Sequence, residues 1–189
     1  VSRKTFIGVD LAQIEARATG WLAGDQKFLG LFDTSDPYCT YGKKLFGREI
    51  TKKNDPEERN AAKASVLAFG FAGGIGAGQR IGTNYHFDFN TMADLIIPGA
   101  MDHELDKGRS NYKFYLDKQP LKPLSECEGI AVDILKQRYR VDFPSITAYW
   151  ETLEQAFLLG GDAGMIHVDV HPSGLRVMRM PDGWELFYH

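Results

Sequence analysis

Asp55-Pro56-Glu57-Glu58-Arg59-Asn60-Ala61-Ala62-Lys63-Ala64-Ser65-Val66-Leu67-Ala68-Phe69-Gly70-Phe71 is the stretch on which the reading of this chain turns. It opens like a helix. Asp55 suits an N-cap, Pro56 suits the first helical position, and Glu58 stands where a capping box needs it. The pattern predicts a helix from Pro56 to about Phe71, broken by Gly73-Gly74. Within it Arg59, Lys63, Leu67 and Phe71 recur every fourth residue, so they share one slowly drifting face. The two cations come first, where a helix N-terminus also favours anions. The two apolar side chains follow. Such a face can hold a polyphosphate at one end and something flat or apolar at the other. The plainer alternative is a solvated basic edge, with Arg59 and Lys63 paired to Glu58 or Asp55.

Upstream, Phe6-Ile7-Gly8-Val9-Asp10 reads as a short buried strand ending in a carboxylate, followed by Leu11-Ala12-Gln13-Ile14-Glu15-Ala16-Arg17 at a helix start. An aspartate on a rigid strand end suits a hard cation such as Mg²⁺, which combines few carboxylates with substrate phosphates. It equally suits an N-cap for the next helix. That helix is expected over residues 13–23, with Ile14, Ala18, Trp21 and Leu22 inward. Helices follow at about 26–32 and 36–46, the second capped by Ser35 or Asp36 with Pro37 at its first position.

Beyond Gly74 a short helix over 76–82 is expected. Residues 83–123 show no clear periodicity and read as irregular, partly helical over 101–118. Ser125 opens a helix to about Arg140, Asp142-Phe143-Pro144 makes a corner, and another helix runs from about Ser145 to Leu159. Strands at 164–171, 174–180 and 184–189 are joined by the turns Pro172-Ser173-Gly174 and Pro181-Asp182-Gly183. The fold class is therefore α+β, mostly helical, with strands at both ends that could meet in one sheet.

The 189 residues are 43% hydrophobic and 25% charged, an ordinary globular composition. The net charge of −3 gives no global pull towards nucleic acid, so any such binding must use local patches. Cys39 and Cys127 lack metal-type or redox-type spacing and are expected to stay reduced. No stretch approaches the roughly 20 apolar residues of a membrane span.

Taken together, two segments carry a resemblance. Asp10 to Arg17, followed by Trp21-Leu22-Ala23-Gly24-Asp25, resembles motif A of family A DNA polymerases, the bacterial DNA polymerase I type. Arg59-Asn60-Ala61-Ala62-Lys63, continuing through Gly70-Phe71, resembles motif B, the fingers helix of that family. Asp36-Pro37-Tyr38 and Leu45-Phe46-Gly47 look like the intervening fingers segment. Arg138-Tyr139, Phe143-Pro144, Tyr149-Trp150 and Pro181-Asp182-Gly183-Trp184-Glu185-Leu186-Phe187-Tyr188 look like the return to the palm. The resemblance covers nearly all of the chain except 83–123, which looks like an insertion. It implies palm residues at 1–25, a fingers subdomain over 26–160, and palm strands over 161–189.

The resemblance also implies roles. Asp10 would bind two catalytic Mg²⁺ ions, with the Leu11 carbonyl on one of them. Glu15 would be the steric gate against a ribose 2′-hydroxyl. Arg59 and Lys63 would hold the β- and γ-phosphates of a deoxynucleoside triphosphate, and Lys63 could protonate pyrophosphate. Gln13 and Arg17 would support the site, Arg17 through an ion pair. Tyr38 would lie near the triphosphate, and Phe71 near the templating base. Primer-template DNA would be the partner, in the cytoplasm of a bacterium or a phage-infected host.

Several positions depart from the family pattern. Leu67 stands where Phe or Tyr usually contacts the sugar. Phe71 replaces Tyr, so no hydroxyl is available to Glu15. Ala72 replaces Gly, which makes positive φ harder to adopt. Motif C, which carries the second metal-binding carboxylate, is not in the sequence, and neither is a thumb. The expectation is a palm and fingers fragment that would be nearly inactive alone. The lost aromatic at Leu67 and the insertion at 83–123 point to a phage-type or otherwise divergent enzyme.

Two other readings compete. His167, Asp169 and His171 alternate along a strand and could bind Zn²⁺ in a metal-dependent hydrolase, or simply form a polar outer face. Lys43, Lys44, Arg48, Lys52 and Lys53 could track phosphates in a DNA-binding remnant without catalysis, or form a solvated helix end. The run Gly73-Gly74-Ile75-Gly76-Ala77-Gly78 is a poor dinucleotide fingerprint, because it follows a helix rather than a strand.

Overall fold

The computed structural model describes residues 12–188. Its helices are α1 (Ile14–Leu22), α2 (Gln26–Leu29, running into a 3-10 turn at Gly30–Asp33), α3 (Pro37–Phe46), α4 (Pro56–Phe69), α5 (Ile75–Asn84), α6 (Phe89–Ile96), α7 (Asp102–Asp117), α8 (Glu126–Asp142) and α9 (Pro144–Leu159). Strands β1 (Gly161–Ala163), β2 (Ile166–Val170), β3 (Arg176–Arg179) and β4 (Glu185–Tyr188) form one antiparallel sheet in the order β1-β2-β3-β4. The fold is α+β and mostly helical, as expected. The strand expected at residues 5–10 lies outside the described residues. Among the described residues, no helix is long and apolar enough to cross a membrane.

Local signals placed most of these elements. Asp36 caps α3 by accepting the backbone N–H groups of Tyr38 and Cys39, and Pro37 costs nothing at a position whose N–H has no helical partner. Ser125 and Glu128 close a capping box on α8. Gly160 ends α9 with φ of 83°.

Three expectations are corrected. The capping box at Asp55 and Glu58 does not form, since Asp55 makes no side-chain cap on α4. Asp55 instead accepts from the Thr51 backbone and hydroxyl and from Arg48, and Arg48 also takes Glu58. On α1 the buried residues are Ala16, Thr19 and Gly20; of the four expected inward, Ala18 and Leu22 are half-buried, and Ile14 and Trp21 are exposed. The small residues face inward because Phe28 lies so close that a Cβ on Gly20 would sit 2.8 Å from its Cδ1. Finally, residues 83–123 are more regular than expected outside 101–118, where helix was expected and α7 forms. They hold α6 and α7, and Met92, Ala93, Ile96 and Tyr115 enter the main core.

That core is organised by α4 and α8. Ala61 and Ala62 are fully buried on α4, and their small side chains let neighbouring helices approach closely. At the C-terminal end of α4, Phe69 lies 6.3 Å from Tyr139 of α8, which in turn lies 5.0 Å from Phe143. Phe28 meets Phe143 edge-on at 4.9 Å. Such aromatic pairs each contribute about 0.5–1.5 kcal/mol beyond their buried area. The Trp150 indole of α9 donates to the Gly70 carbonyl at 3.0 Å. The helix expected to carry the site is thus clamped along its length.

Two buried carboxylates tie α7 to α8. Asp133 accepts from Asn111 at 3.0 Å, from Gln137 at 2.9 Å and from Lys136. Glu104 receives Arg138 through Nε at 2.8 Å and Nη2 at 3.0 Å, and also caps the start of α7 at Met101 N–H. A second, smaller core packs Ala163, Ile166 and Val168 of the sheet against Ala156 of α9.

Just past α4, Ala72 takes φ of 56°, the left-handed conformation that costs an L residue about 1–2 kcal/mol. The chain is forced there because Gly73 passes so near that a Cβ would sit 2.2 Å from the Ala68 carbonyl oxygen. Ala72→Gly should therefore raise stability by about 0.5–1 kcal/mol, the strain relieved less the extra unfolded-state entropy of glycine. Urea unfolding midpoints of the two proteins check this.

Candidate functional site

The N-terminal half of α4 faces the start of α3 and the end of α5. Asp36 links the first two. One carboxylate oxygen caps α3, taking Tyr38 N–H at 3.0 Å and Cys39 N–H at 3.1 Å, and the other receives Arg59 Nε at 2.7 Å. The group that starts α3 therefore also orients Arg59. The plainer expectation, Arg59 paired with Glu58 or Asp55, is corrected: those carboxylates belong to Arg48. The Arg59 guanidinium lies over the Tyr38 ring at 5.1 Å. Among the described residues, the pair with Asp36 engages only its Nε–H, and a guanidinium offers five donors.

Lys63, one turn further on, carries its ammonium 3.4 Å from the Tyr85 ring centroid and 6.0 Å from that of Tyr38. Burial lowers its pKa, and the nearby cations Arg59 and Lys52 lower it further. A cation held among cations and aromatic rings gains by receiving an anion. Burial pushes the pKa of the Tyr38 hydroxyl up. Three expected residues, Tyr38, Arg59 and Lys63, thus converge on one face.

Asp36 shows the opposite balance. Burial would raise its pKa, but the Arg59 hydrogen bond and the two backbone donors hold it below the usual carboxylate value. A depressed folded-state pKa stabilises the fold above the unfolded value of about 3.9 and is lost as pH falls through the folded value. The Asp36 carboxyl resonance should titrate below about pH 3.9, and Arg59→Ala should move its midpoint upward.

The remaining expected residues lie apart. Glu15 is exposed near the start of α1. Arg17 makes no carboxylate pair in the described structure; its Nη2 donates to the Phe32 carbonyl at 3.0 Å and it lies over that ring at 5.0 Å, pinning α1 to the following turn. Leu67 is half-buried. Phe71 falls beyond the end of α4 and is 61% exposed, on the rim of an apolar cavity of about 660 Å³ shared with Leu22, Tyr149, Trp150 and Met178. The face therefore stays helical only as far as Leu67. Asp10 and Leu11 lie outside the described residues. A larger cavity of about 760 Å³, between α5, α7 and α8, holds none of the expected nucleotide-binding residues.

Compared with known proteins, the chain matches no family model, no curated protein and no solved structure.

The competing constellations can be placed in the same way. His167 spends both ring nitrogens on carboxylates, Nδ1 on Asp162 at 2.6 Å and Nε2 on Asp169 at 3.2 Å, and both bonds raise its pKa. Arg179 adds a pair to Asp169 at 2.6 Å. His171 stands past the end of β2, in the turn, with its N–H on the Leu175 carbonyl. The expected trio does not converge, and no group of three or more His, Cys, Asp or Glu among the described residues could hold a metal ion. In the basic run, Lys43 pairs with Glu49, Lys44 with Asp142, and Arg48 with Asp55 and Glu58. Lys52 and Lys53 make no ion pair among the described residues.

Sequence reasoning missed Tyr85. It falls at the C-cap of α5, in a segment that resembles nothing upstream, and no spacing links it to Lys63. Only the fold brings them together.

Proposed function

We propose that the chain is the palm-edge and fingers portion of a template-directed DNA polymerase, and that the α3–α4 face seats the triphosphate of the incoming deoxynucleotide. The observation that carries this reading is the pairing of Arg59 and Lys63 on one face of α4, held by Asp36, Tyr38 and Tyr85. Arg59 supplies a planar fork for phosphate oxygens, and Lys63 a compact charge one turn away. Both are partly desolvated and pre-oriented, which reduces the ordering cost of binding.

In this reading Gln13 supports Tyr38, and Glu15 is the gate against ribose. Primer-template DNA is the partner, and the setting is the cytoplasm of a bacterium or phage-infected host. Asp10, with the Leu11 carbonyl, would hold the catalytic Mg²⁺, which activates the primer 3′-hydroxyl and stabilises the in-line displacement. The two cations of this face would bind and orient phosphate. The DNA-binding remnant is less favoured, because Lys43, Lys44 and Arg48 are already neutralised by carboxylates.

Calorimetric titration with dTTP, dTDP and thymidine tests the proposal. Affinity should fall in that order and weaken with added salt, since the contacts are ionic. Equal binding of thymidine and dTTP would contradict it.

A further inference from the structure

Tyr85 belongs to none of the segments that resemble a known family, yet its ring makes the closest contact to the Lys63 ammonium, at 3.4 Å from the centroid. The ring is itself fixed. It stacks on Phe87 with centroids 6.0 Å apart and planes 24° from parallel, and Phe87 is buried in the main core. The Phe87 N–H is bound to the Gly82 carbonyl at 2.8 Å, which closes the turn after α5 onto its last helical residues. Rigid backbone, buried Phe87, stacked Tyr85 and Lys63 thus form one chain of contacts.

We infer that Tyr85 is a positioning residue for triphosphate binding: its ring holds the Lys63 ammonium on the same side of α4 as the Arg59 guanidinium. This inference rests on the triphosphate reading above. A lysine side chain loses considerable rotamer freedom when it must hold one pose. A cation over an aromatic face is attracted by the ring's electron-rich surface, so Tyr85 meets that ordering cost before ligand arrives. The attraction is weaker than a charge-assisted hydrogen bond to phosphate, so Lys63 can still move the short distance to the ligand. The interaction uses the ring face and needs no hydroxyl. Tyr85→Phe should therefore preserve it and Tyr85→Ala should remove it. Tyr85 is 47% exposed, so neither change empties the core.

The experiment combines dTTP titration with NMR of the Lys63 side chain in the full chain, for wild type, Tyr85→Phe, Tyr85→Ala and Lys63→Ala. The Lys63 ε-methylene protons should be shifted upfield by the ring in wild type and Tyr85→Phe, and should return to ordinary values in Tyr85→Ala. Affinity for dTTP should fall about three- to tenfold in Tyr85→Ala, the range a partly desolvated cation–π contact supports, and stay within about twofold in Tyr85→Phe. Unchanged affinity in Tyr85→Ala, with clear loss in Lys63→Ala, would overturn the role of Tyr85 and leave the triphosphate site standing. No dTTP binding, or none lost in Lys63→Ala, would overturn the triphosphate reading and this inference with it. Absence of the upfield shift in wild type would overturn the positioning contact itself.

Discussion

Asp133→Ala is expected to cost about 3–5 kcal/mol of stability, the usual penalty for stranding one partner of a buried ion pair. Asp133 is fully buried and receives Asn111, Lys136 and Gln137. Removing it leaves a buried ammonium and the Asn111 amide without their acceptor, while the Gln137 amide keeps the Glu104 carbonyl. Against a typical domain stability of about 5–15 kcal/mol, that loss is visible in any urea or thermal unfolding curve. The pH dependence has a definite sign. Burial already lowers the Lys136 pKa, and Asp133 is the group that holds it up. Without Asp133 the folded state binds the Lys136 proton more weakly than the unfolded state does. Stability of the variant should then rise with pH as Lys136 deprotonates. The double change Asp133→Leu, Lys136→Met should recover much of the loss, since apolar replacements of a buried pair are often neutral or better.

Arg59→Ala and Lys63→Ala are each expected to weaken dTTP binding about 10- to 100-fold, the equivalent of about 1.5–3 kcal/mol for a hydrogen bond to a charged group. The two differ in a second readout. Arg59→Ala also releases Asp36, whose pKa returns upward, whereas Lys63→Ala leaves that pair intact. Arg59→Lys should fall closer to Arg59→Ala than to wild type, because an ammonium cannot reproduce the fork that meets Asp36 and phosphate together. Calorimetry at fixed ionic strength gives the affinities. Equal affinity in all of these variants would remove the α3–α4 face as the binding site.

Elements set by local chemistry could be read directly from the chain. Asp36-Pro37, Ser125 with Glu128, and the glycine turns of the tail each satisfy backbone groups within a few residues, so neighbours in sequence suffice. The helix α7 could not be read with the same clarity. Its sequence is largely polar, and it is held by long-range groups, Asn111 to Asp133 and Glu104 to Arg138. On α1, Leu22 packs inward as its apolar character suggests, but Ile14 and Trp21 are exposed. Close approach of Phe28 requires Gly20 at the inner position, and Trp21 lies outside.

The site divides along the same line. Arg59 and Lys63 follow from a four-residue spacing within one helix. The Asp36–Arg59 pair spans 23 residues, and the contact from Tyr85 needs the turn after α5. Neither leaves a periodic trace. Asp55 and Glu58 show the cost of arguing from spacing alone, because Arg48 outcompetes the helix N-terminus for both carboxylates.

We propose that this chain belongs to the machinery that joins deoxynucleotides to a primer. The most direct test is template-directed incorporation by the polypeptide that carries the chain in its natural reading frame, compared with its Asp10→Ala and Lys63→Ala variants. Incorporation should follow the template, be abolished in Asp10→Ala and be strongly reduced in Lys63→Ala. Incorporation unchanged in both variants, or none above background in the parent polypeptide, would contradict the proposal.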